Sequence, residues 1–129
     1  MTPSRLISIA FDAVAILLFA FLARIAHRSA SMPLTFASWL DTAWPFLVGT
    51  LVASGVVAAT KLVPWRIWPA GVIIWLTTAV AGLTIWSLRH GHLAHWSFMI
   101  VATVMSGMLL ISWRAAIRLL RKASPASRQ

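Results

Sequence analysis

The stretch LISIAFDAVAILLFAFLARIAH, from Leu6 to His27, decides how the rest of the chain is read. Among its 22 residues the only charged side chains are Asp12 and Arg24. A helix that crosses a bilayer needs about 20 mostly apolar residues, because the hydrocarbon layer is about 30 Å thick and each residue rises 1.5 Å. The segment is apolar round most of its circumference, as a helix between lipid and other helices must be. It lacks the polar and apolar alternation of a membrane strand.

Working outward, three further stretches have the same character, at about 40–60, 70–88 and 95–117. The punctuation between them agrees. Pro3 and Ser4 precede the first span, and Asp41 is placed to cap the second, with Pro45 still close to its start. Pro64 and Pro69 bracket the link Lys61–Trp68, and Pro69 can open the third helix. Arg89, His90, Gly91 and His92 stop it, Gly91 supplying a turn. Links this short make successive helices adjacent and antiparallel. The longest, Arg28 to Ser38, has no room for a soluble domain. The expected fold is therefore all-α, an integral membrane bundle of four antiparallel transmembrane helices over residues 1–122. Residues 123–129 form a polar tail expected to be disordered and cytoplasmic. The first span reads as an uncleaved helix, since its apolar stretch exceeds the usual signal-peptide core and contains Asp12 and Arg24.

Composition supports this. Of 129 residues, 60% are hydrophobic and 10% charged, whereas a small soluble domain carries about a quarter charged residues. Eleven Lys and Arg stand against two Asp and no Glu, a net charge of +9. The basic residues punctuate apolar runs instead of covering one soluble face, so nucleic acid is not the expected partner. The absence of cysteine excludes disulfides, zinc–thiolate and iron–sulfur sites, and Cys nucleophiles. Four spans put both termini and the second link on one side, with Arg5, Lys61, Arg66, Arg114, Arg118, Arg121, Lys122 and Arg128. Arg24, Arg28 and Arg89 fall on the other. Eight against three orients the termini to the cytoplasm, because Lys and Arg resist translocation. Trp39, Trp44 and Trp96 then lie near the outer boundary, and Trp65, Trp68 and Trp113 near the inner one, where indoles are enriched. Trp75 and Trp86, within the third span, have no such account.

Asp12 is the most informative residue. About two turns into the first helix, an unpaired carboxylate costs roughly 2.5–3.5 kcal/mol on insertion scales, so it should face the bundle and find a partner. Arg114 lies at similar depth in the last helix, and an Asp12–Arg114 bridge would close the bundle. The competing reading is a proton or ion relay, which lacks a second intramembrane carboxylate. At the outer end Arg24, His27 and Arg28 cluster, and Arg24 is expected to bridge to Asp41, the only acid on that side. The alternative there is an anion or headgroup site, which two guanidiniums suit. His90, His92 and His95, with His27 nearby, could ligate a metal or haem, but they also make an ordinary polar turn, and no cofactor is expected. Gly49 and Ala53, Gly55 and Ala59, Thr78 and Gly82, and Thr103 and Gly107 are small pairs that would let helices approach closely. Arg118, Arg121 and Lys122 continue a basic stripe from Arg114, fit for anionic lipid headgroups. No phosphate loop, nucleophile elbow, HExxH or paired-carboxylate signature occurs.

Three stretches carry a resemblance. They are the first helix with Asp12, Phe19-Ala20, Arg24 and His27; Asp41-Thr42 with Ala43-Trp44-Pro45-Phe46-Leu47-Val48-Gly49; and Trp96-Ser97-Phe98 with Ile100-Val101-Ala102 and later Trp113-Arg114. In these the chain resembles a small bacterial, mostly actinobacterial, membrane-protein family known as domain of unknown function 3054. It departs at Ala23, where the resemblance leads one to expect Gly before Arg24. Membership implies a four-helix membrane protein and supplies no activity or catalytic residue. The expected function is thus non-enzymatic: a multi-pass structural or accessory component of the bacterial plasma membrane contacting lipid headgroups or a membrane partner. The alternative is a subunit of a small-solute or ion transporter or channel using Asp12. Four short helices leave little room for a central cavity, so transport would require a homo-oligomer or larger complex.

Overall fold

A computed structural model describes residues 3–26, 35–92 and 96–123. The described residues form four long helices and no strand: α1, Pro3–Ala26; α2, Phe36–Ala59; α3, Val72–His90; and α4, Trp96–Ala123. A π-helical turn, Ile67–Gly71, leads into α3. With that turn, all four helices are long and apolar enough to cross a membrane. Each packs against the next in the chain, and α1 also packs against α4, closing the ring.

The helix boundaries correct two expectations. Asp41 does not cap α2. Thr35, with extended backbone at φ −127° and ψ 163°, is the cap, accepting from the Ser38 N–H at 3.1 Å while Ser38 Oγ accepts from the Thr35 N–H at 2.9 Å. Asp41 and Pro45 are therefore inside the helix, and Pro45 is fully buried. Neighbouring helices allow a proline this far into a membrane-spanning helix. Pro69 does not begin α3 directly either. It forces Trp68 into the extended region, φ −118° and ψ 133°, so the chain makes the separate turn that Gly71 N–H closes on Arg66 O at 2.9 Å. The cap at the other end of α3 is as read: Gly91 adopts φ 74° and its N–H bonds Ser87 O. α4 runs on to Ala123, beyond the expected end at 117, so the basic stripe is helical.

The interior is built from Ile16, Phe19, Phe46, Val57, Ile74 and Leu110, with the Phe19 and Phe46 rings edge to face at 5.0 Å. Small residues set the helix spacing. A Cβ on Gly49 would stand 3.0 Å from the Ala81 Cβ, and one on Gly107 would meet the Trp75 indole, whereas one on Gly55 would meet nothing. The Gly55 pair is thus not a helix contact within the monomer. Polarity is inverted relative to a soluble domain. Ser8, Asp12, Thr50, Ser54, Thr78, Ser106 and Arg114 are buried, while Leu6, Val14, Leu51, Val80, Met108 and Leu119 are exposed. A chain that turns its hydroxyls inward and its Leu and Val outward is solvated by hydrocarbon. The protein is a multi-pass membrane protein.

Candidate functional site

The site lies at the end of the bundle where α1 begins and α4 finishes. Arg5, on the first turn of α1, donates to Leu62 O just past α2 at 3.0 Å. One layer further in, Asp12 and Arg114 meet. The Arg114 Nη1 donates to Asp12 Oδ1 at 2.7 Å and its Nη2 to Oδ2 at 2.9 Å, a two-pronged match of guanidinium to carboxylate. Trp113 Nε1 donates to the same Oδ1 at 2.8 Å. Two further Arg114 N–H groups reach Pro64 O at 3.0 Å and Leu110 O at 2.9 Å. The Asp12 and Arg114 side chains are 1% and 0% exposed, so this ion pair is withdrawn from solvent. Trp113 completes the cage: its ring stacks on Phe11 at 5.1 Å and lies 4.3 Å from the guanidinium carbon. Among the described residues no buried side-chain nitrogen or oxygen lacks a partner. A void of about 10 Å³ beside Asp12 and Ser8, room for about one water, is what remains there.

Above this pair a cavity of about 730 Å³ opens between the link and the end of α4. Arg114 lies at its base. Arg66 comes from the link, and Arg118, Arg121 and Lys122 from successive turns of α4. These four are exposed, and the Arg121 guanidinium sits over the Trp65 ring at 5.3 Å. Trp65, Ile67, Trp68 and Ile117 supply the apolar wall. Among the described residues no acidic side chain lines this cavity. The chain has two acidic side chains, and one is Asp12.

The other is Asp41, which corrects the expected bridge at the far end. Arg24 does not pair with Asp41. Its Nε donates to Thr42 Oγ1 at 2.8 Å and to Ser38 O at 3.1 Å. Asp41 instead accepts from Arg89 Nη1 at 2.8 Å, with Arg89 also 5.0 Å above the Trp44 ring. The reason is the earlier start of α2. With Asp41 inside a helix, the 100° step between consecutive residues turns Thr42 to α1 and Asp41 to α3. His27 and Arg28 lie outside the described residues, as does His95. His90 stacks on Trp86 at 4.0 Å, its Nδ1 bonded to Trp86 O at 2.8 Å, and His92 meets the same indole edge-on. Among the described residues no three His, Cys, Asp or Glu side chains are grouped to hold a metal ion.

Residues 9–117 match a family model described as "Protein of unknown function (DUF3054)". The chain belongs to this family. No curated protein and no solved structure matches it. The matched stretch of this DUF3054 chain takes in Asp12, Trp113 and Arg114 and ends before Arg118, Arg121 and Lys122. Depth alone pairs Asp12 with Arg114 in the sequence. It does not show the third donor, Trp113, whose place near the inner boundary reads as an interface anchor. Nor does it show Arg66 as a partner of the α4 stripe or Gly71 as the point where the chain passes Arg114. The signal for Arg66 is present: Trp65-Arg66-Ile67-Trp68 interleaves indole and guanidinium directly after Pro64.

Proposed function

We propose that this DUF3054 protein is a non-enzymatic structural or accessory component of the bacterial plasma membrane, termini in the cytoplasm, whose cationic end engages anionic lipid headgroups. One observation carries the reading: Arg66, Arg118, Arg121 and Lys122 gather round one cavity while both acidic side chains are committed elsewhere. Each such charge near an anionic leaflet is worth about 1 kcal/mol. Trp65 and Trp68 on the same rim suit the headgroup layer, with an apolar body and a polar N–H. The Asp12–Arg114–Trp113 cage supports a structural role for the intramembrane charge. Both carboxylate oxygens are held by fixed donors, which suits a clamp between first and last helices better than a relay that must release its proton. The test is reconstitution of the full chain in nanodiscs of phosphatidylcholine with or without phosphatidylglycerol. Thermal stability should rise with the anionic fraction, and the rise should shrink with salt. Equal stability in both bilayers would reject the reading. Reporter fusions at each end test the orientation.

A further inference from the structure

We infer that the cavity beneath Trp65 and Trp68 is a stoichiometric site for an amphiphile ending in a phosphate monoester. This rests on the lipid-contact reading above and narrows it from attraction for a charged surface to recognition of one headgroup class. Three features of the cavity carry it. Its volume, about 730 Å³, lies within the roughly 300–1,000 Å³ of pockets that enclose a whole small ligand, so it holds more than an ion. Its cations come from two separate elements, Arg66 on the link and Arg118, Arg121 and Lys122 on α4, and face one space. Guanidiniums present a planar fork that matches phosphate oxygens, and an ammonium adds a point charge.

The charge balance selects among phosphates. Among the described residues no acidic side chain lines the cavity, so an anionic ligand meets these cations without a competing carboxylate. A phosphodiester brings one negative charge, whereas a terminal phosphate brings about 1.5–2 at neutral pH and three acceptor oxygens. The denser charge satisfies more of the converging donors. The apolar part of the lining selects for an attached apolar chain. Ile67, Ile117 and the indole of Trp68, which is 72% exposed, border the same space as the cations. A ligand with a polar head and a hydrocarbon tail matches both kinds of lining at once. Arg114 is a positioning residue here. Four of its five guanidinium N–H groups bond Asp12, Pro64 and Leu110, and its charge is paired with Asp12, so it fixes the floor of the cavity.

The experiment titrates the full chain in neutral detergent micelles with four probes, by calorimetry. They are dioctanoyl phosphatidic acid, dioctanoyl phosphatidylglycerol, dioctanoyl phosphatidylcholine and sn-glycerol 3-phosphate. Phosphatidic acid should bind with one-to-one stoichiometry and about tenfold tighter than phosphatidylglycerol, each tenfold being one step of free energy on the affinity scale. Arg66→Gln and Arg118→Gln should each abolish that preference. Both residues are exposed, so the fold survives their loss. Lys61→Gln, which removes a charge at the same end outside the cavity lining, should leave the preference intact. Equal affinity for the two anionic lipids would overturn the monoester assignment and leave the lipid-contact function standing. Equal affinity for sn-glycerol 3-phosphate and phosphatidic acid would overturn the amphiphile and assign the cavity to a soluble phosphate ester. No preference of either anionic lipid over phosphatidylcholine would overturn both readings.

Discussion

Gly71 and Arg114 are in contact so close that a Cβ on the glycine would lie 2.8 Å from the arginine Cδ. The Arg114 stem cannot swing aside, because its guanidinium is held by four hydrogen bonds to Asp12, Pro64 and Leu110. Arg66 O, 3.1 Å from the same point, is backbone and equally fixed. Gly71→Ala should therefore destabilise the protein by about 1–3 kcal/mol, the usual cost of an extra methyl in a filled site. Unfolding in mixed micelles measures it, and a neutral result would show that the turn Ile67–Gly71 yields.

Asp12→Asn keeps the shape of the cage and removes its charge. The guanidinium then stays buried without a counter-ion, a change that costs about 3–5 kcal/mol. The same variant separates clamp from relay. Stability should fall, and the reconstituted wild-type protein should show no pH-dependent ion flux for the substitution to abolish. A flux that vanishes in a stably folded Asp12→Asn protein would establish the transporter reading.

Trp113→Phe deletes one donor to Asp12 and preserves a ring to stack on Phe11. A hydrogen bond to a charged group contributes about 1.5–3 kcal/mol, so the loss should be smaller than that of Asp12→Asn. Because both substitutions act on one carboxylate, the double variant should lose less than the sum of the two. Strict additivity would show that the indole acts independently of the ion pair.

The Asp41–Arg89 pair provides the contrast. Its side chains are 43% and 40% exposed, and exposed pairs contribute about 0–1 kcal/mol. Asp41→Asn should shift the unfolding midpoint little, and less still in high salt. A loss as large as that at Asp12 would mean this end of the bundle is shielded from water.

Between α2 and α3, Thr50 donates to Phe46 O at 2.9 Å and its oxygen lies 3.0 Å from Thr78 Oγ1, so Thr78 is left to donate to it. Hydrogen bonds between membrane helices average about 0.6 kcal/mol, and Thr78→Val should cost about that much. A penalty several times larger would indicate that the pair aligns the two helices.

What could be read from the sequence was set by one physical contrast, the difference between hydrocarbon and water. That contrast located four spans and matched Asp12 with Arg114, because a lone charge at such depth demands an opposite one at equal depth. It could not find Thr35. A threonine followed three residues later by Ser38 caps a helix through two short local hydrogen bonds, and these leave no trace in an apolar profile. The missed cap moved the start of α2 and sent Asp41 to Arg89 instead of Arg24. Trp75 was equally opaque. Its indole N–H reaches Thr103 O at 2.7 Å across the groove left by Gly107, a contact between residues 28 apart. The cavity escaped for a related reason: Arg66 and Arg118 are remote in sequence and meet only once the link folds back on α4.

The ion pair that ties α1 to α4 also imposes an order on biosynthesis. Its partners are 102 positions apart, so a ribosome adding about 5–20 residues per second delivers the arginine roughly 5–20 s after the aspartate. For that interval the nascent first helix carries a carboxylate whose intended mate does not yet exist. A chain truncated before residue 114 would stay in that condition permanently. Arrival of the fourth helix is thus recorded in the bundle itself, and membrane quality-control proteases should clear products that lack it faster than protein that carries it.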